Sequence, residues 1–194
     1  MITSLINMRL QEGVEEEALK DIQGKIRALS DLYEKMHREG ETAEVELSSY
    51  IEDLLYALFT TLAKGPFEIR VEIERMYVQP ELAIAFGLIT NEIATNALKH
   101  GFSADDEAVF TARAEYDDET GEYRFILSNT GNPFPESIEF GEGSTLGLQL
   151  IETLVTQLKG RIELVRRPSA TYHITIPAES LDQNNSRSER STNR

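Results

Sequence analysis

The chain has 194 residues, 40% of them hydrophobic, with no cysteine and a formal net charge of −15. That is enough apolar material for one packed domain plus an appendage. The acidity argues against a nucleic-acid binder, and the missing cysteines exclude disulfides, thiolate metal sites and cysteine nucleophiles. No run is long and apolar enough to span a bilayer, and Met1–Arg9 is too short and polar for a signal peptide, so the expectation is a cytoplasmic chain without direct membrane contact.

Residues 1–11 have a helical rhythm of apolar positions (Ile2, Leu5, Ile6, Leu10), broken at Gln11-Glu12-Gly13. A longer helix is predicted from about Glu15 to His37, with a stripe of Ala18, Ile22, Ile26, Leu29, Leu32, Tyr33 and Met36. Two amphipathic helices joined by a short link predict an antiparallel hairpin over 1–45. So thin a hairpin cannot bury its own stripe, which predicts self-association as a homodimer.

A second unit is expected over 46–178. Its first helix carries Tyr50, Ile51, Leu54, Leu55, Leu58 and Phe59 and ends at Lys64-Gly65-Pro66. Phe67–Ile73 alternates apolar and polar residues, as a half-buried strand does. Pro80 and Glu81 open a central helix predicted to run to His100. Strands follow at about Ala108–Tyr116 and Glu122–Ser128, around the polar loop 117–121. The stretch 130–144 reads as irregular, then a helix spans about Leu146–Lys159 and a strand pair covers Arg161–Arg166 and Thr171–Pro177. From Glu179 the apolar residues give out, which predicts a disordered tail. The fold class is therefore α+β, a two-layer α/β sandwich with a mostly antiparallel sheet, preceded by the helical hairpin.

Three segments carry chemistry. In the central helix Glu92 and Asn96 share one face, extended by Lys99 and His100. A carboxamide oxygen is a tolerable Mg²⁺ ligand beside substrate phosphates, and a carboxylate can orient or deprotonate a nucleophile. At a strand end, Asn129-Thr130-Gly131 offers an amide for a base edge and a glycine that allows close backbone approach. Gly141–Leu148 is a glycine-rich loop running into a helix start, whose free N–H groups suit phosphate. An acidic protein must bind phosphate in this local way, not through its overall field. Alone, the first two segments read better as an ordinary helix end and a plain turn, and the third is an intermediate signal.

Their order and spacing resemble the GHKL ATP-binding domain, and more closely the catalytic core of two-component sensor histidine kinases. Asn91–His100 is similar to the N box, Asn129-Thr130-Gly131 to the G1 box, Leu146–Leu150 to the G2 box, and Ser169–Pro177 to the closing strand. Glu92 and the Ser-Thr-Leu-Gly-Leu-Gln-Leu stretch resemble the class related to the HWE kinases, although the chain has no Trp.

The resemblance implies ATP and Mg²⁺ as cofactors, with Asn96 on the metal and Glu92 assisting at the γ-phosphate. It assigns Lys99, His100, Asn129, Gly131, Thr145, Leu146, Gly147, Leu148 and Thr171 to ATP binding, under a lid from about Phe134 to Thr145. It implies phosphoryl transfer to a histidine, and a response-regulator receiver domain as partner. That histidine is expected upstream of the stretch that Met1–Ile6 resembles, so this chain is expected to lack it. Asn129 stands where the family has Asp and Pro133 where it has a second glycine. A neutral acceptor is weaker by roughly 1 kcal/mol, which predicts a looser hold on adenine. Two rival readings are a scaffold of the same fold that has lost ATP binding, and a serine kinase of the anti-sigma type. The hairpin speaks against the second.

Overall fold

The computed structural model divides the chain into a unit of residues 1–41 and a unit of residues 42–194. It describes residues 44–102, 108–138 and 145–182, all in the second unit. The predicted helical hairpin lies outside the described residues.

The described elements are β1 (Val45–Glu46), α1 (Leu47–Leu62), β2 (Phe67–Ile73), β3 (Tyr77–Val78), α2 (Pro80–Asn96), a π turn (Ala97–Gly101), β4 (Ala108–Asp117), β5 (Glu122–Asn129), α3 (Leu146–Gln157), β6 (Arg161–Val165), β7 (Thr171–Pro177) and α4 (Ala178–Asp182). Five strands form one sheet in the order β2-β4-β5-β7-β6, with β2 and β4 parallel and every other neighbouring pair antiparallel. This is the two-layer α/β arrangement that the sequence predicts.

Period-two patterning sorts the strand residues by face. Ile69, Phe110, Phe125, Leu127, Tyr172, Ile174 and Ile176 point to the helical layer, where α1 packs on β2 and α2, and α3 on α2 and β6. The opposite face carries Glu68, Arg70, Arg113, Glu115, Arg124, Glu122, Arg161 and Glu163. Ion pairs such as Arg161–Glu122, at 2.6 Å, tie these strands on their open side and hold the Glu122 carboxyl below its ordinary range. Exposed pairs of this kind add little stability.

Phe59 organises the core near the end of α2. Its ring lies 5.4 Å from Phe67, 5.7 Å from Phe110 and 6.2 Å from Phe102. Phe102 follows the π turn directly, so burial of Phe59 also fixes where the site-bearing helix stops. Burying one such ring is worth about 2–3 kcal/mol.

Three features depart from the sequence reading. A two-stranded ribbon pairs Val45 with Val78 and Glu46 with Tyr77, ahead of α1. The central helix ends at Asn96 and is followed by one wide turn, closed by a bond from the Phe102 N–H to the Ala97 carbonyl at 3.2 Å. The chain forms α4 where a disordered tail is predicted from Glu179: the Ala178 N–H donates to the Gly121 carbonyl at 3.0 Å and starts the helix there.

Where α1 crosses α2, the Tyr50 hydroxyl presses on Gly87, and a Cβ at that glycine would come within 2.3 Å of it. The hydroxyl is buried, has no hydrogen-bond partner among the described residues, and has its pKa pushed up to about 12 by burial. An unsatisfied buried hydroxyl costs about 1–3 kcal/mol. Tyr50→Phe is therefore expected to stabilise the fold by ~1 kcal/mol, seen as a higher urea midpoint. A fall in the midpoint would mean that the hydroxyl is satisfied in solution.

Candidate functional site

A cleft opens between the end of α2, the start of α3 and the ends of β5 and β7. Its empty volume is about 580 Å³, counting the part open to solvent. Asn96, His100, Asn129, Thr145 and Leu148 line it, together with the aromatic pair Phe134 and Tyr172.

The floor is a backbone seam between the π turn and the turn after β5. The Gly101 carbonyl accepts the Asn132 N–H at 2.7 Å, and the Asn132 Nδ2 reaches the His100 carbonyl at 3.4 Å. Gly131, at φ +94°, packs so close that a Cβ there would stand 2.2 Å from the Gly101 oxygen. Gly101 in turn leaves room for the Asn129 amide, whose Nδ2 would be 2.7 Å from a Cβ at 101. The seam meets the wide turn that ends the helix, and such turns are frequent at functional sites.

Asn129 is 5% exposed, and its Nδ2 donates to the Thr130 carbonyl at 2.6 Å. Only the N–H end of the amide can sit against a carbonyl at that distance, so the orientation is settled by chemistry. The side chain keeps its Oδ1 as an acceptor, the same function an Asp would offer.

The first turn of α3 lies against Glu92 of α2. This carboxylate is 5% exposed, and its Oε2 would stand 2.5 Å from a Cβ at Gly147, the second residue of α3. The N-cap residue Thr145 makes no side-chain capping bond. A carboxylate against the first turn is favourably placed relative to the helix dipole.

A family model described as histidine kinase-, DNA gyrase B-, and HSP90-like ATPase matches residues 82–180, which is 99 of the 194 residues. The chain belongs to this family. A model described as histidine kinase matches residues 1–62. Blue-light-activated histidine kinase 2 of Erythrobacter litoralis is 26% identical over 184 residues, covering 91% of this chain and 53% of that protein. The chain thus spans about half the length of that relative. The histidine kinase domain of the Erythrobacter litoralis EL346 blue-light activated histidine kinase superposes with a TM-score of 0.73 at 21% identity, over 94% of this chain and 87% of that one. Acinetobacter baumannii histidine kinase AdeS gives 0.59 at 17% identity, over 91% and 94%. Both structures show the shared fold.

Against this ATPase-family fold, the predicted site residues fall into groups. Asn96, His100, Asn129, Thr145 and Leu148 meet at the cleft, while Gly131 and Gly147 shape its backbone and Leu146 opens α3. Lys99 is exposed and does not line the cleft, because the wide turn changes the direction in which residues after Asn96 point. Thr171 lies on the open face of the sheet. It pairs with Ser128, and strand alternation gives the cleft to its neighbours Ala170 and Tyr172 instead. Residues 139–144 of the predicted lid lie outside the described residues; at its start, Phe134 and Pro135 are bonded to Arg166, and Glu136 is paired with Arg167 at 2.9 Å.

Sequence reasoning put Phe134 only at the start of the lid and gave Tyr172 no place in the cleft. The alternation Tyr172, Ile174, Ile176 was a sufficient signal for the second. The first had none, because its partner Arg166 lies far along the chain. Burial raises the Tyr172 pKa, so this ring is a neutral wall of the cleft.

The residues present fit a Mg²⁺-nucleotide. Among the described residues no cluster of three or more His, Cys, Asp or Glu side chains could hold a metal. Mg²⁺ commonly takes only one or two protein ligands beside substrate phosphates, and the cleft-lining Asn96 carbonyl is of that kind.

Proposed function

We propose that this chain is the kinase end of a two-component sensor, binding Mg-ATP in the cleft and passing the γ-phosphoryl group to a histidine. The observation that carries the reading is the buried Asn129 amide, locked by Thr130 so that an acceptor remains beside the apolar wall of the cleft. That is the complement of an adenine amino edge. Asn96 holds the metal, and Mg²⁺, when bound, neutralises charge on the phosphate oxygens. His100, Thr145 and the backbone at Gly147 receive the triphosphate, with Glu92 behind them. In the reaction the bond from the γ-phosphorus to its bridging oxygen breaks, a bond to an imidazole nitrogen forms, and ADP leaves. The chain's own contribution is positioning and exclusion of water.

The acceptor is a histidine other than the described ones. Of the described histidines, His100 lines the cleft itself and His173 sits on the open face of the sheet. The functional state is a homodimer, in the cytoplasm, with a receiver domain as next acceptor, in keeping with the histidine kinase model that matches residues 1–62. Among the described residues no helix is long and apolar enough to cross a membrane.

Titration with a non-hydrolysable ATP analogue and Mg²⁺ tests the binding step, with saturation expected below millimolar. No binding at millimolar analogue would favour the scaffold reading. Incubation with radiolabelled ATP tests the acceptor. Acid-labile label on His100 or His173 would overturn the assignment of the acceptor to another histidine.

A further inference from the structure

We propose that Arg166 is a positioning residue for nucleotide binding, holding a Pro-Phe-Pro segment as the wall on the base side of the cleft. The proposal rests on the Mg-ATP reading and adds a residue that lies outside all three glycine and asparagine motifs.

The segment needs an external anchor. Pro133 and Pro135 have no N–H, so Phe134 carries the only backbone donor of the three residues. That donor goes to the Arg166 carbonyl at 3.0 Å. The Arg166 Nη1 then donates to the Pro135 carbonyl at 2.6 Å. Its guanidinium carbon lies 5.3 Å from the centre of the Phe134 ring, within cation–π range. One residue thus grips the segment by its main chain, its side-chain hydrogen bond and its charge.

The grip has a direction. The Phe134 ring meets Tyr172 edge to face, 6.2 Å between centres at 88°. Tyr172 is 1% exposed and fixed in β7, so the Phe134 ring rests between a core aromatic and a cation. All three residues 133–135 line the cleft on the side of Asn129, whose N–H bonds to Ala170 at 3.3 Å, two residues before Tyr172. A flat wall beside a single acceptor is what a flat heteroaromatic base with an amino group requires. Without the grip, the wall keeps among the described residues only the local bond from the Ile138 N–H to the Pro135 carbonyl, at 3.4 Å, which does not tie it to the sheet.

The neighbouring Arg167 supplies an internal control. Its side chain forms a salt bridge to Glu136, with both side chains at least 70% exposed, and such pairs contribute little.

The test uses the full chain and three variants, Arg166→Ala, Arg166→Lys and Arg167→Ala. Without nucleotide, Arg166→Ala is expected to speed amide hydrogen exchange at Phe134 about tenfold or more, leaving α2 and β5 unchanged. Affinity for a non-hydrolysable ATP analogue is expected to fall about tenfold, as befits a lost charged hydrogen bond and a loosened wall. Arg166→Lys should recover part of that loss, since an ammonium can still bond the Pro135 carbonyl and face the ring. Arg167→Ala should stay within twofold. Unchanged affinity in Arg166→Ala, or equal losses in the alanine and lysine variants, would overturn the clamp. If the unmodified protein does not bind the analogue, the Mg-ATP reading fails first and the clamp's role in nucleotide binding fails with it.

Discussion

A Gly131→Ala variant is expected to lose about 3 kcal/mol of stability and most of its nucleotide affinity. Two independent costs meet at this residue. Its φ of +94° lies where a side chain is strained, typically by about 1–3 kcal/mol. The added Cβ would also stand 2.2 Å from the Gly101 carbonyl oxygen. That atom is backbone, it already accepts the Asn132 N–H, and it belongs to the turn that aims His100 at the cleft. It cannot move without opening the seam, and insertion into packed surroundings commonly costs a further 1–3 kcal/mol. The other glycines grade the effect. Gly121 has φ +68° but only one atom at the 4.0 Å limit of contact, so Gly121→Ala should show the backbone cost alone, about 1 kcal/mol. Gly65 has nothing within 4 Å, and Gly65→Ala should fall within ~0.5 kcal/mol of the parent. Urea unfolding of the three variants ranks them. If Gly131→Ala costs no more than Gly121→Ala, the seam is looser than its geometry indicates.

The elements legible in the sequence are those whose burial repeats. The stripe of Tyr50, Ile51, Leu54, Leu55 and Phe59 becomes the buried face of α1, and the alternation of Phe67–Ile73 becomes the half-buried strand β2. Periodicity needs length, however, and the ribbon of Val45–Glu46 with Tyr77–Val78 is too short to show any. The wide turn after Asn96 is hidden for another reason. Ala97-Leu98-Lys99-His100 are acceptable helix residues, and their departure from the α-helix is imposed by Asn132 and Phe59, both distant in sequence. Lys99 is misplaced by that same turn. Thr171 stands apart for a different reason, since period-two alternation from Tyr172 puts it on the open face. Asn96 and Asn129 stand out in the sequence as carboxamides at the end of a core helix and of a strand, and both line the cleft. The Arg166 grip on Phe134 depends on a tertiary contact across 31 positions, which no local pattern records.

The contact between Glu92 and Gly147 yields the second large effect, and it separates packing from charge. In a helix interior alanine is favoured over glycine by up to about 1 kcal/mol, so Gly147→Ala would ordinarily be neutral or stabilising. Here the new Cβ would meet the Glu92 Oε2 at 2.5 Å and its Cδ at 3.5 Å. The carboxylate ends a flexible side chain, but at 5% exposure it has little space to withdraw into. Either Glu92 leaves the first turn of α3, or the turn shifts and takes the Thr145 and Leu148 side of the cleft with it. Both routes predict a roughly tenfold loss of nucleotide affinity, about 1.4 kcal/mol. Glu92→Asp shortens the side chain by one methylene and keeps the charge, so it makes room for the methyl group. The double variant Glu92→Asp with Gly147→Ala should therefore bind better than the two single losses predict, with a coupling of about 1 kcal/mol, typical for residues in contact. Glu92→Gln keeps the length and removes the charge, so it should not rescue Gly147→Ala. It should instead slow phosphoryl transfer more than it weakens binding, if the carboxylate assists at the γ-phosphate. Additive losses in the Asp cycle would mean that Gly147 is required for a reason other than the carboxylate beside it.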